Sequence, residues 1–95
     1  MNNENLENLN LRSIKPFLDE DGKITQLPAK NKTKQLVLAY LAGKFAPVTY
    51  TEKEVNNIIS AWHTFNDYFV LRRELVDNNF LNRTLDGSKY WKEKN

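Results

Sequence analysis

Val37, Tyr40, Leu41 and Phe45 fall at the three- and four-residue intervals of one helical face, with Leu36 flanking them. That spacing predicts a helix over residues 32–45, halted before Pro47 because a proline pushes the residue ahead of it out of the helical region. Val55, Ile58, Ile59 and Trp62 repeat the pattern in a second stretch. In a third, Tyr68, Leu71 and Leu75 form an apolar stripe with Phe80 just beyond, while Asn66, Arg73 and Asp77 fall away from it. One buried face per helix follows from this periodicity.

The polar residues at the ends of these stretches mark where the helices start and stop. Thr51 and Glu54 have the spacing of a capping box, in which each side chain satisfies the other's backbone donor. Asn66 or Asp67 is expected to cap the third helix, over residues 67–79, and Asn78 or Asn79 to close it in the left-handed conformation. Residues 64–66 are the turn between the second and third helices. Val48, Thr49 and Tyr50 predict a short strand, and Ile24 to Leu27 a weaker one ended by Pro28. Leu81 to Leu85 and Ser88 to Trp91 flank Asp86-Gly87, a strong short-range hairpin signal. The order helix, strand, helix, helix, strand, strand is that of a winged helix-turn-helix. The expected fold is α+β and mostly α, with three core helices, a small antiparallel sheet that includes Val48 to Tyr50, and a hairpin wing over 81–91. A short, partly helical N-terminal extension, residues 1–18, precedes the domain of residues 19–95; Leu6, Leu9 and Ile14 are its apolar positions, and Pro16 limits it.

Composition narrows this picture. A chain of 95 residues accommodates one small domain, burying about 60–65% of its unfolded surface. With 40% hydrophobic and 27% charged residues, a packed core is expected rather than disorder. Cysteine is absent, which removes disulfides and thiolate ligands and fits a reducing compartment. No long apolar run resembles a signal peptide or a membrane span, so a cytoplasmic protein without membrane contact is expected. The net charge of +2 is too small to announce a nucleic-acid partner, but it is unevenly spread. Acidic residues dominate the first 22 positions, and lysines dominate from Lys23 to Lys53.

Five blocks of residues carry a resemblance: Phe17 to Gly22 (FLDEDG), Leu27 to Lys30 (LPAK), Tyr50 to Asn56 (YTEKEVN), Leu71 to Asp77 (LRRELVD) and Asp86 to Trp91 (DGSKYW). Together, over about residues 14–92, they resemble the domain of unknown function 2087 family, a bacterial domain found alone or joined to segments that look like transcription regulators. The resemblance implies a regulatory context and assigns no residue a role. Asn79 stands where such proteins commonly have glycine, a replacement asparagine makes at modest strain.

The candidate chemistry is binding. On the third helix, Arg72 and Arg73 are expected to reach DNA bases or phosphates from the major groove, with Arg83, Lys89 and Lys92 on or after the wing, and Lys30 and Lys32 ahead of the first helix. Lys34 and Lys94 extend these two clusters. The plainer reading is a solvated surface, with Arg73 and Asp77 paired at i, i+4. Phe69 and Val70 occupy first-turn positions where small polar residues are usual in groove-reading helices. With Val76 they form the alternative, an apolar patch for a regulatory protein or a second copy of this chain, a homodimer. Tyr50, Trp62, Tyr90 and Trp91 are expected to pack, with Trp91 the most exposed.

Catalysis is not expected. Ser60, His63 and Asp67 have a triad-like spacing, but the predicted turn separates His63 from Asp67, and Asp67 has a simpler use as a cap. The acidic turn Asp19 to Gly22 fails as a calcium loop, because Phe17 and Pro28 would occupy positions that need carboxylates. One histidine and no cysteine leave no zinc site, and three glycines leave no phosphate-cradling loop. No cofactor and no metal are expected.

Overall fold

The computed structural model describes residues 11–92. Leu6 and Leu9, the first ten residues of the expected extension, and Lys94 lie outside the described residues. Residues 11–14 are helical and run into a 3-10 turn, Lys15–Phe17, that has Pro16 at its start. Three helices follow, α1 (Asn31–Ala42), α2 (Glu52–Ala61) and α3 (Tyr68–Asp77), and then two antiparallel strands, β1 (Leu81–Arg83) and β2 (Tyr90–Lys92). The fold is α+β and mostly helical, with a small two-stranded sheet. No helix among the described residues is long and apolar enough to cross a membrane.

Local chemistry sets the element ends. Thr51 caps α2 and forms the full capping box with Glu54. Asp67 caps α3 through the Val70 N–H, and Asn79, at φ 66°, ends it in the left-handed conformation. α1 closes three residues earlier than its apolar spacing suggests. Gly43 caps it, and the Lys44 and Phe45 amides fold back onto Leu41 and Ala42. Phe45 is still buried, because this tight turn, rather than a further helical turn, swings its ring into the core.

The expected strand over Val48 to Tyr50 is a single residue of pairing. Tyr50 exchanges both backbone hydrogen bonds with Tyr90 at 2.8 Å, while Val48 is exposed. Pairing does not spread, because the Val48 N–H that would continue the ladder donates to the Ala46 carbonyl and the Thr51 N–H is taken by Glu54 in the α2 cap. The weak strand at Ile24 to Leu27 shrinks likewise to Ile24, which bridges Leu18 on one side and His63 on the other.

The core is one cluster drawn from every element. Val37, Leu38 and Leu41 of α1, Val55 and Ile59 of α2, Leu71 and Leu75 of α3, and Leu81 and Tyr90 of the strands are buried together with Ile14 and Ile24. Each fully buried leucine or isoleucine contributes about 1.5–3 kcal/mol relative to exposure. Tyr68, expected on the buried stripe, is instead exposed. As the first residue of α3 it precedes the part of the helix that packs, and Val76 and Phe80 complete the apolar side from the other end.

Candidate functional site

α3 presents three differently occupied sides. Leu71 and Leu75 face the core. Toward α1, Glu74 pairs with Lys34 at 3.4 Å and accepts a hydrogen bond from Asn78 Nδ2, while Gln35 donates to Asn78 Oδ1 at 2.6 Å. Phe69, Arg73 and Asp77 lie at i, i+4 and i+8 and are all exposed.

The turn ahead of α3 is built around His63. Its Nε2 accepts from the Asp67 N–H at 2.8 Å and its Nδ1 lies 2.7 Å from the Ile59 carbonyl oxygen. A nitrogen facing a donor must carry a lone pair and one facing a carbonyl must carry a proton, so the ring is the neutral Nδ1–H tautomer. Asp67 meets the ring through its backbone, its carboxylate caps α3, and Ser60 is exposed. These three residues therefore form a turn and no triad. Among the described residues no group of three or more His, Cys, Asp or Glu side chains is placed to hold a metal ion.

Arg72 and Arg73 are adjacent in sequence but have opposite environments. Arg72 has a side chain only 15% exposed, donates from Nη1 to Asn56 Oδ1 and sits 3.6 Å from Glu52. Glu52 Oε1 also accepts from the Tyr90 hydroxyl at 3.0 Å. Burial, followed by the hydrogen bond and negative charge of Glu52, pushes the Tyr90 hydroxyl's pKa up, so it remains a donor. Arg73 forms no ion pair among the described residues, and its guanidinium lies 5.0 Å from the Phe69 ring centre. The expected Arg73–Asp77 pair is not made.

The hairpin turn is stitched internally. Thr84 Oγ1 donates to Asp86 Oδ1 and accepts from the Ser88 and Lys89 amides. The Thr84 hydroxyl first, then the Ser88 amide and side chain, hydrogen-bond the Asp86 carboxylate and lower its pKa to about 2, so the turn keeps a negative charge. Arg83 Nη1 donates to the Thr84 and Leu85 carbonyls, and Leu85 is wholly exposed at the tip.

The seven residues expected to face DNA thus divide. Arg72 is turned inward, Arg83 is bonded to its own turn, and Lys92 donates to the Phe45 carbonyl. Arg73, Lys89, Lys30 and Lys32 remain exposed. Lys30 is the cap residue of α1, which has no side-chain cap and no acid in its first turn. Of the apolar alternative, Phe69 is 49% exposed, Val70 is half-buried, and Val76 packs on the core and leaves the patch, while Tyr68, expected on the buried stripe, is 39% exposed next to Phe69. Tyr90 and Trp62 are buried or half-buried, and Trp91 is exposed on the outer face of the hairpin. Glu52 and Asn56 did not figure among the candidate residues. Their signal was the i, i+4 spacing of two polar groups on one side of α2, visible only beside a partner for them.

These features define a small, mostly helical α+β domain with an outward helix beside a hairpin. Residues 23–92 match the model of a family described as an uncharacterized protein conserved in bacteria, DUF2087, and the chain belongs to that family. No match was found among curated proteins or among solved structures.

Proposed function

We propose that this domain is a winged helix-turn-helix module of bacterial transcription regulation that contacts duplex DNA, with α2 and α3 as the helix pair and the β1–β2 hairpin as the wing. The observation that carries the reading is Arg73, an exposed guanidinium on the outward face of α3 that is not spent on an internal ion pair. The Tyr50–Tyr90 bridge supports it, because it ties the segment ahead of α2 to the hairpin and so sets helix and hairpin side by side. Lys89 on the hairpin and Lys30 and Lys32 at the uncapped start of α1 supply further phosphate contacts.

A module of this kind binds duplex DNA at low ionic strength and loses affinity as salt rises, with a log-log slope of about −0.9 for each phosphate contacted. Fluorescence anisotropy with a labelled duplex tests this. The wild type should bind and Arg73→Ala should weaken binding; no salt-sensitive binding, or an unchanged Arg73→Ala variant, overturns the reading.

A second reading rests on Tyr68 and Phe69, whose rings stand open beside Arg73. It makes the first turn of α3 a contact for a protein, including a second copy of this chain. Sedimentation of the wild type and Phe69→Ser separates the self-association case: a concentration-dependent dimer lost in Phe69→Ser supports it, and a monomer at every concentration removes it.

A further inference from the structure

We propose that the cleft between the start of α2, the middle of α3 and the hairpin turn is a phosphate site, formed by Arg72, Arg83 and Tyr90, in which the Glu52 carboxylate holds the ligand's place. α3 and β2 each bring a donor to one oxygen of Glu52. Glu52 Oε1 receives the Tyr90 hydroxyl at 3.0 Å and lies 3.6 Å from Arg72 Nη2. Gly87 closes the cleft from the hairpin side. A Cβ on Gly87 would stand 3.8 Å from both Glu52 Oε1 and the Tyr90 oxygen and 4.0 Å from Arg83 Nη1. Arg83 Nη1 donates to the turn carbonyls of Thr84 and Leu85, so this guanidinium stands behind Gly87 at the rim of the cleft and adds positive charge there without touching Glu52.

Arg72, Arg83 and Glu52 together carry a net charge of +1, and Asp86 holds a further negative charge in the adjoining turn. A phosphate oxygen accepts from the same donors as a carboxylate oxygen and carries more charge, and planar guanidiniums match it well. The positive end of the α2 dipole adds to the attraction. The two partners of the ion pair also differ in freedom. The Glu52 side chain is 48% exposed and can rotate out, whereas the Arg72 side chain is 15% exposed and fixed by Asn56. An incoming phosphate thus displaces an anion without rebuilding the donors.

The phosphate can come from a duplex backbone or be free inorganic phosphate. The duplex arm rests on the DNA reading above, and the inorganic arm does not. Glu52→Gln keeps the side chain's size and an acceptor for Tyr90 while removing its charge. It should bind a labelled duplex about tenfold more tightly than wild type at low salt, and Glu52→Gln with Arg83→Ala should lose that gain. In thermal melts at matched ionic strength, replacing chloride by inorganic phosphate should stabilise Glu52→Gln more than wild type.

A gain in both arms assigns the site and a duplex source. A gain with inorganic phosphate alone keeps the site and removes the duplex. A folded Glu52→Gln that gains in neither arm overturns the proposal, and if the wild type still binds duplex in that case the DNA reading stands without it. Should Glu52→Gln not fold, Glu52→Ser reads the same outcomes.

Discussion

Replacing Arg72 and Arg73 one at a time by alanine separates a structural arginine from a surface one. Arg72→Ala removes the hydrogen bond to Asn56, the contact with Glu52 and the packing of a side chain that is 85% covered, since 15% of it is exposed. The ion pair counts for little, because Glu52 is 48% exposed and solvent screens it. A hydrogen bond to a charged group contributes about 1.5–3 kcal/mol, and the lost aliphatic stem adds to this. A destabilisation of about 2 kcal/mol follows, lowering Tm by roughly 8–16 °C in a domain of this size. Arg73→Ala removes an exposed side chain that makes no ion pair among the described residues and lies over the Phe69 ring, and should stay within about 1 kcal/mol of wild type. Urea denaturation followed by tryptophan fluorescence, with thermal melts alongside, measures both variants. Equal stabilities for the two, or a Tm for Arg72→Ala within about 2 °C of wild type, would refute the inward placement of Arg72.

Lys30→Asp supplies α1 with the side-chain cap and first-turn negative charge that it lacks, and should raise stability by about 1 kcal/mol; an unchanged or lower Tm counts against it. If the start of α1 meets phosphate, the same variant binds duplex DNA less well. The Asp86 pKa of about 2 in the folded hairpin lies below its ordinary value of 3.8. Its contribution to stability is therefore complete above about pH 4 and is lost as pH falls toward 2. Thr84→Val, which removes the largest cause, should move the Asp86 carboxyl titration in an NMR pH series back toward the ordinary value, and a titration unchanged from wild type would refute that account.

Sequence alone determined the features that depend on atoms within a few residues of each other. The Thr51–Glu54 box, the cap at Asn66 or Asp67, the left-handed close at Asn78 or Asn79 and the Asp86-Gly87 turn each rest on a local hydrogen bond or a local φ preference, so residue type and spacing located them, and the structure chose Asp67 and Asn79. The helical periods likewise identified Val37, Leu41, Val55, Ile59, Leu71 and Leu75 as core. The limit of such signals shows at Tyr68, expected on the buried stripe but exposed, and at Val76, expected in an open patch but packed on the core, because burial depends on which stretch of helix has a neighbour.

The division of labour within the candidate site was decided by tertiary structure. Arg72 and Arg73 are consecutive and chemically identical, but successive helix positions point about 100° apart. Both lie near the Phe69 ring, but one also met Asn56 and Glu52 on α2 while the other met solvent. Glu52 did not figure among the candidate residues and Tyr90 read as a strand aromatic; only folding brought the Tyr90 hydroxyl and Arg72 to the Glu52 carboxylate, with Gly87 of the hairpin beside them. Contacts between residues 38 positions apart leave no trace in local spacing, because packing of distant elements creates them.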